Sequence, residues 1–173
     1  MIEKIRRFQS FLVELGVARN VLALPAPSTL LLEDHTSESR DGTVIFSSQI
    51  TEPEISNVAR DLFASGHYNI AVSQAYKALD KYVSEKAGLQ TSGLKAMRTA
   101  FNSKNPILVW SERTSTSERD EQEGYEHIFA GTMQGIRNPT THEFGWVDSQ
   151  ELALELLLIA QHLLKKAKKA EKL

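Results

Sequence analysis

The sequence contains no cysteine, which excludes disulfides, zinc ribbons, iron–sulfur clusters and thiol catalysis. It also lacks an apolar run long enough for a transmembrane helix, which needs about 20 residues. The longest run, residues 152–164, includes a glutamate, a glutamine and a histidine. A large excess of basic charge is missing as well, because 20 basic and 22 acidic side chains give a formal net charge of −2. This balance argues against a protein that coats nucleic acid through a broad basic surface.

Most short motifs that carry chemistry are absent too. The sequence has no glycine-rich phosphate loop, no Walker sequence and no His-Glu-x-x-His, since His142-Glu143 lacks the second histidine. With five histidines and no cysteine, a zinc site would need several of them to converge with distant carboxylates. We therefore expect neither a metal nor another cofactor.

Composition and length indicate one globular domain with an extension. The chain has 173 residues, of which 41% are hydrophobic and 24% charged, close to the average for globular proteins. Charge begins at Glu3 and continues through Lys4, Arg6 and Arg7, unlike the apolar core of a secretory signal. We therefore expect a cytoplasmic protein without a membrane partner.

Residues 1–50 are predicted to form a helix and an arm. Ile2 to Gly16 has the apolar spacing of an amphipathic helix. Short aliphatic runs at Thr29–Leu32 and Thr43–Phe46 flank a polar turn and could pair as a hairpin, although an irregular arm fits equally well.

From residue 51 onwards the helical signals are stronger. Thr51 and Glu54 form a capping-box pattern that predicts a helix start, and residues 65–66 interrupt that helix. Apolar residues at helical spacing predict a long helix from Tyr68 to near Gly88, followed by a shorter one over 93–101.

The second half alternates polar segments with helices. Residues 111–124 contain no apolar side chain and predict an exposed loop, followed by a helix over 122–136 and a polar link over 137–148. Asp148 and Glu151 are predicted to cap the last helix. That helix carries two apolar stripes, which predict burial on two sides, in a bundle or at a dimer contact: Leu152, Leu156, Ile159 and Leu163 in one, and Leu157, Ala160 and Leu164 in the other. The sum is an all-α fold with a four-helix-type bundle over 51–173.

The most informative segment runs from Gly135 to Glu143. Asn138 precedes Pro139, which predicts that a helix ends here and that Arg137 and His142 lie on a compact link. An arginine supplies a permanent forked cation for phosphate oxygens, and a histidine can move a proton near neutral pH. Together they suit phosphodiester cleavage. The plainer interpretation is a cation at a helix C-terminus and a histidine bonded to a carbonyl.

Other polar residues carry weaker signals. Asp80 borders the apolar stripe of the long helix and could orient an arginine or histidine, or lie solvated at the flank. His127 is predicted to be solvated and His162 to be structural. The C-terminal lysines could contact a phosphate backbone, yet lysines are also expected in a last helical turn.

The segment Arg137-Asn138-Pro139-Thr140-Thr141-His142 resembles the R-x4-H motif of the HEPN superfamily. Residues 66–72 leading to 75–80, then 93–101, then 129–131 before the motif, are similar in order to the Ymh-type branch of that superfamily, known mainly as uncharacterised bacterial and phage-associated proteins. The likeness covers about residues 50–165.

This resemblance implies a helical bundle that dimerises, with the two motifs facing each other across a composite cleft. It also implies metal-independent cleavage of RNA, with Arg137 and His142 as the catalytic pair. Asn138 matches a polar residue that orients the histidine or the phosphate, and Asp80 matches an acidic position on the long helix. Many members of the superfamily are toxins or act in defence against phage, and some have lost catalysis.

Our leading hypothesis is therefore a homodimeric endoribonuclease whose partners are RNA and an antitoxin or other protein. The competing hypothesis is a catalytically silent module that binds a nucleotide or a protein. A third, nucleotidyl transfer, finds no nucleotide-binding loop in the sequence.

Overall fold

Helices form most of residues 35–173, the part of the chain that this computed structural model describes. In chain order the elements are α1 (His35–Gln49), α2 (Pro53–Ala64), α3 (Tyr68–Ala87), α4 (Gly93–Ala100), β1 (Leu108–Val109), α5 (Thr116–Thr132), a π-helical turn (Met133–Arg137), α6 (Asn138–His142), α7 (Gln150–Lys169) and β2 (Glu171–Lys172). The two short strands pair antiparallel. The predicted all-α fold class is confirmed.

Helix α1 replaces the strand that was considered for Thr43–Phe46. The hairpin interpretation is wrong for this segment, and its other half, Thr29–Leu32, lies outside the described residues, as does the helix predicted over 2–16. Phe46 and Ile50 are four residues apart, and both are buried in the core. Because residues four apart lie on the same helix face, a helix buries both.

A glutamine from α7 caps the start of α2. The capping box predicted from Thr51 and Glu54 does not form, since the residue before the helix makes no side-chain cap bond. Instead, Gln161 Oε1 accepts hydrogen bonds from the backbone N–H of Thr51 at 2.6 Å and of Glu52 at 3.1 Å. Its Nε2 donates to the carbonyl of Gln49 at 2.8 Å. Gln161 therefore satisfies backbone groups at the joint between α1 and α2.

Helix α3 is the central element and packs against α2, α4, α6 and α7. Its buried face includes Tyr76, Leu79 and Val83, each fully shielded from solvent. The helix ends at Gly88, whose φ of +73° is the left-handed conformation that favours glycine at a helix terminus. The predictions for this helix and for α4 are confirmed.

Helix α5 begins earlier than the sequence pattern predicts. Ser115 accepts a hydrogen bond from the N–H of Glu118, whose carboxylate accepts one from the N–H of Ser115, so the two form a capping box. The prediction of a loop over 111–124 is therefore wrong from residue 116 onwards. The first turns of α5 are mostly exposed, and hence the segment could fold as a helix without apolar residues.

Helix α7 is capped by Ser149, one residue beyond the predicted cap at Asp148. Its inner face is buried by Ala153, Leu157, Ala160, Leu163, Leu164 and Ala167. By contrast, Leu152 and Ile159 remain 36% and 40% exposed. Of the two predicted apolar stripes, the one containing Leu152 and Ile159 is therefore only partly covered by the described chain.

Candidate functional site

The R-x4-H segment lies on a continuous helical path. Helix α5 passes into the π-helical turn, where the N–H of Asn138 bonds the carbonyl of Met133, five residues earlier. Helix α6 follows directly, with Pro139 in its first turn, where a missing N–H is tolerated. The prediction that a helix ends before Asn138 is therefore wrong, and Arg137 and His142 lie on helical turns instead of on a link between helices. Such π-turns occur frequently at functional sites.

Two threonines stabilise this turn. Thr140 Oγ1 donates to the carbonyl of Ile136 at 2.8 Å, and Thr141 Oγ1 donates to the carbonyl of Arg137 at 2.7 Å. The Thr141 hydroxyl also lies 3.1 Å from Ser73 Oγ on α3. The backbone that carries the motif is therefore bonded to its own side chains and to the central helix.

Arg137 has few partners for a partly buried cation. Its Nη1 donates to Asn138 Oδ1 at 3.2 Å. Its Nε is buried and has no hydrogen-bond partner, and the side chain forms no ion pair within residues 42–173. Burying an incompletely paired charge is costly. An acceptor-rich ligand would supply the missing interactions.

Arg137 lines a cavity of about 340 Å³, which we call the motif pocket. Its other walls come from α3 and from the loop that follows it: Lys77, Asp80, Lys81, Ser84, Glu85, Leu89, Gln90, Thr91 and Ser92. The Thr91 hydroxyl, like Arg137 Nε, is buried without a hydrogen-bond partner. These two are the unsatisfied buried side-chain atoms found within the described part of the chain, and both of their residues line this pocket.

Asp80 is buried at the motif pocket, with 4% of its surface exposed. Its Oδ1 accepts a hydrogen bond from the N–H of Gly93 at 2.7 Å, which fixes the start of α4. Burial raises the pKa of this carboxyl, while the Gly93 bond and the charge of Arg137 act in the opposite direction. The solvated-flank interpretation of Asp80 is therefore wrong, and the charge of Arg137 acts on a buried carboxyl group.

His142 occupies a different position. It is the last residue of α6, its side chain is exposed, and it forms no hydrogen bond or ion pair within the described residues. It does not line the motif pocket. Close by in the chain, Phe144 is fully exposed and Trp146 is 55% exposed. The structure thus brings Arg137, Asn138 and Asp80 together and leaves His142 exposed outside the motif pocket.

Asn69 is a positioning residue that the sequence patterns do not reveal. Its Nδ2 donates to the carbonyls of Thr140 and Glu143, each at 3.1 Å, and its Oδ1 accepts from the N–H of Val147 at 3.2 Å. Three backbone groups on both sides of His142 are therefore bonded to one side chain of α3. A single asparagine near a helix start has no spacing signal, so only the fold identifies it.

His127 and His162 have the roles expected for them, whereas His67, at the start of α3, is exposed and makes no side-chain cap bond. His127 is exposed and lies 4.0 Å from Glu123 on its own helix, and His162 Nε2 lies 2.8 Å from Tyr125 Oη. Within residues 35–173 no three histidine or acidic side chains are grouped as metal ligands require. No helix in this range combines the length and apolarity needed to cross a membrane.

The lysines near the end of α7 are largely paired with acidic side chains. Lys165 lies 4.0 Å from Glu52, and Lys168 binds Glu52 and Glu54 at 2.6 and 2.8 Å. Lys166 pairs with Glu121. These contacts favour a structural role over contact with a phosphate backbone.

Most of the described chain, with the R-x4-H segment, lies in a region shared with one protein family. A family model described as a protein of unknown function (Hypoth_ymh) matches residues 49–167. The chain belongs to this family. The match extends from the end of α1 into the last turns of α7 and includes the motif pocket, Asn69 and the whole R-x4-H segment. No curated protein and no solved structure matches the chain.

Proposed function

We propose that this Ymh family protein is a metal-independent endoribonuclease of the HEPN superfamily, which cleaves RNA between two copies of the chain and acts as a toxin or in defence against phage. The observation that carries the proposal is the unpaired Nε of Arg137, a partly buried cation in a cavity without an ion-pair partner among the described residues. A helix-terminal role does not account for it, because the helical path continues beyond Arg137.

A phosphodiester fits the motif pocket by its chemistry. Its oxygens accept hydrogen bonds and carry charge, which a guanidinium can bind through two parallel N–H groups. Asn138 accepts a hydrogen bond from one end of the guanidinium, and the charge of Arg137 acts on the buried Asp80. These contacts would limit the orientations of the Arg137 side chain, so that it is ready for the charge that develops on the phosphoryl group.

A second copy of the chain is needed to complete the site. Within one chain His142 lies outside the motif pocket, so the pair is not assembled there. His142 is exposed, and the large apolar side chains of Phe144, Trp146, Leu152 and Ile159 are exposed as well and offer apolar area to a partner. Such a surface is typical of an interaction site, and two copies related by a twofold axis would bring both motifs to one cleft.

In the proposed reaction a neutral His142 takes the proton of the ribose 2′-hydroxyl, and the 2′-oxygen attacks phosphorus. The bond from phosphorus to the 5′-oxygen breaks, and the same His142, now protonated, donates its proton to that oxygen. The products are a 2′,3′-cyclic phosphate and a 5′-hydroxyl. Arg137 stabilises the charge on the non-bridging oxygens in the transition state.

Complementation between two inactive variants tests this composite site. Arg137→Ala and His142→Ala are each expected to lose cleavage of RNA in excess chelator. If arginine and histidine act across the interface, mixing the two restores about a quarter of wild-type activity, since half of the dimers are mixed and half of their sites intact. Cleavage by either variant at the wild-type rate would contradict the proposal.

The second candidate is a silent module that binds a nucleotide or a protein partner. The separation of His142 from the motif pocket favours it, because the pocket with Arg137 and Asp80 exists without the histidine. This candidate predicts saturable binding of a phosphorylated ligand, loss of that binding in Arg137→Ala, and no turnover of any RNA.

A further inference from the structure

A second cavity, of about 530 Å³, lies along α4 and the loop after it. We call it the α4 pocket, and its lining residues are Leu94, Lys95, Arg98, Thr99, Asn102 and Asn105. None of these is acidic, and two carry a positive charge. The lining is therefore suited to an anionic ligand rich in hydrogen-bond acceptors.

The two cations of the α4 pocket have no acidic partner in the part of the chain that the structure describes. Lys95 and Arg98 are three residues apart, hence on one face of α4, and both are exposed. Neither forms an ion pair within the described residues, in contrast to Lys166 and Lys168 of α7. Their charge is thus available to a ligand instead of being neutralised within the chain.

The amide side chains of this pocket also offer donors. Asn102 Oδ1 accepts hydrogen bonds from the N–H of Lys104 at 3.1 Å and of Asn105 at 2.8 Å. These bonds fix the orientation of the amide. The Nδ2 of Asn102 has no partner among the described contacts. An unpaired amide donor beside two cations matches the oxygens of a phosphate group.

The α4 pocket adjoins the motif pocket through the first turn of α4. Ser92 lines the motif pocket, Leu94 lines the α4 pocket, and Gly93 between them is bonded to Asp80. The linings of the two pockets therefore follow one another along the chain, and one strand can contact both.

We infer that the α4 pocket binds the phosphate backbone of the RNA strand whose scissile phosphate is held in the motif pocket. This inference rests on the proposed function for the identity of the strand. It assigns Lys95, Arg98 and Asn102 to binding, with no part in the chemical step.

Binding of a 2′-O-methyl RNA oligonucleotide tests the inference, because this probe lacks the hydroxyl that cleavage requires. Fluorescence anisotropy at several salt concentrations compares the wild type with Lys95→Gln/Arg98→Gln. The matched control is Arg60→Gln/Lys169→Gln, which removes the same charge from exposed residues outside both pockets. Thermal unfolding checks that both double variants fold.

The α4-pocket variant is expected to bind more weakly. For this variant, the slope of the logarithm of the association constant against the logarithm of the salt concentration should fall in magnitude by about 1.4. Each phosphate contact on a single strand contributes about 0.7 to that slope. The control should change far less. Equal weakening in the two double variants, or no binding by the wild type, would overturn the inference. Cleavage of unmodified RNA is measured separately. Binding without cleavage would contradict the proposed ribonuclease activity but not the proposed binding of RNA in the α4 pocket.

Discussion

Asn69 Nδ2 donates a hydrogen bond to the carbonyl of Thr140 at 3.1 Å, across 71 positions of the chain. Through this bond and its two companions, the central helix fixes the backbone on both sides of His142. The catalytic histidine of the proposed reaction therefore depends for its position on a residue that does not touch the substrate.

Replacing Asn69 by alanine is predicted to lower kcat more than it changes KM. Loss of three hydrogen bonds lets the His142 backbone shift, and misplacement by about 1 Å can cost up to a hundredfold in rate. Steady-state cleavage of an RNA oligonucleotide gives both constants. Asn57→Ala, on an exposed part of α2, is the matched control. A rise in KM alone, at unchanged kcat, would contradict a positioning role.

Gln161→Leu is predicted to destabilise the fold by about 2 kcal/mol or more, because it leaves the N–H groups of Thr51 and Glu52 and the carbonyl of Gln49 without their partner. Chemical unfolding in urea measures the free energy. Glu155→Leu, on the exposed face of the same helix, controls for the added apolar side chain. Equal free energies for the two variants would show that the long-range cap contributes nothing.

Asp80→Asn is predicted to change how stability depends on pH. Because burial raises the pKa of Asp80 above 3.8, the folded state holds its proton more tightly than the unfolded state. The wild type should therefore lose stability relative to the variant as the pH rises from 3.8 through the raised pKa. Thermal unfolding between about pH 3 and 7 measures the difference. Asp148→Asn controls for the lost charge, and parallel curves for wild type and Asp80→Asn would contradict the prediction.

The exposed aromatics after His142 are predicted to hold two copies together. Phe144→Ser/Trp146→Ser removes one fully exposed and one 55% exposed aromatic side chain. The dimer should therefore dissociate, while the single chain keeps its melting temperature. Light scattering measures the mass in solution. Ile128→Ser, 47% exposed on α5, is the control for loss of a surface apolar residue. A wild type that stays monomeric at high concentration would contradict the composite cleft.

Helix periodicity predicted α3, α4 and the buried face of α7 because these helices follow the local apolar pattern. Starts and ends were less predictable where distant groups decide them. Gln161 caps α2 from more than 100 positions away, and this contact takes the place of the capping box expected at Thr51. The helix end predicted at Asn138-Pro139 does not occur, because a π-helical turn accommodates the proline within a helical path.

The candidate site was predictable in its chemistry and less so in its arrangement. The spacing of Arg137 and His142 identified the segment, but only the fold reveals the unpaired Nε and the pocket shared with Asp80. Asn69 acts through backbone groups that become neighbours on folding, so no local pattern indicates it.

The most direct measurement is cleavage of RNA by the purified wild type, His142→Ala and His127→Ala in excess chelator, with the new ends analysed. His127 is an exposed histidine on α5 and controls for loss of an imidazole. The account predicts 2′,3′-cyclic phosphate ends from the wild type and from His127→Ala, and none from His142→Ala. Equal cleavage by all three, or no cleavage by the wild type on several kinds of RNA, would contradict it.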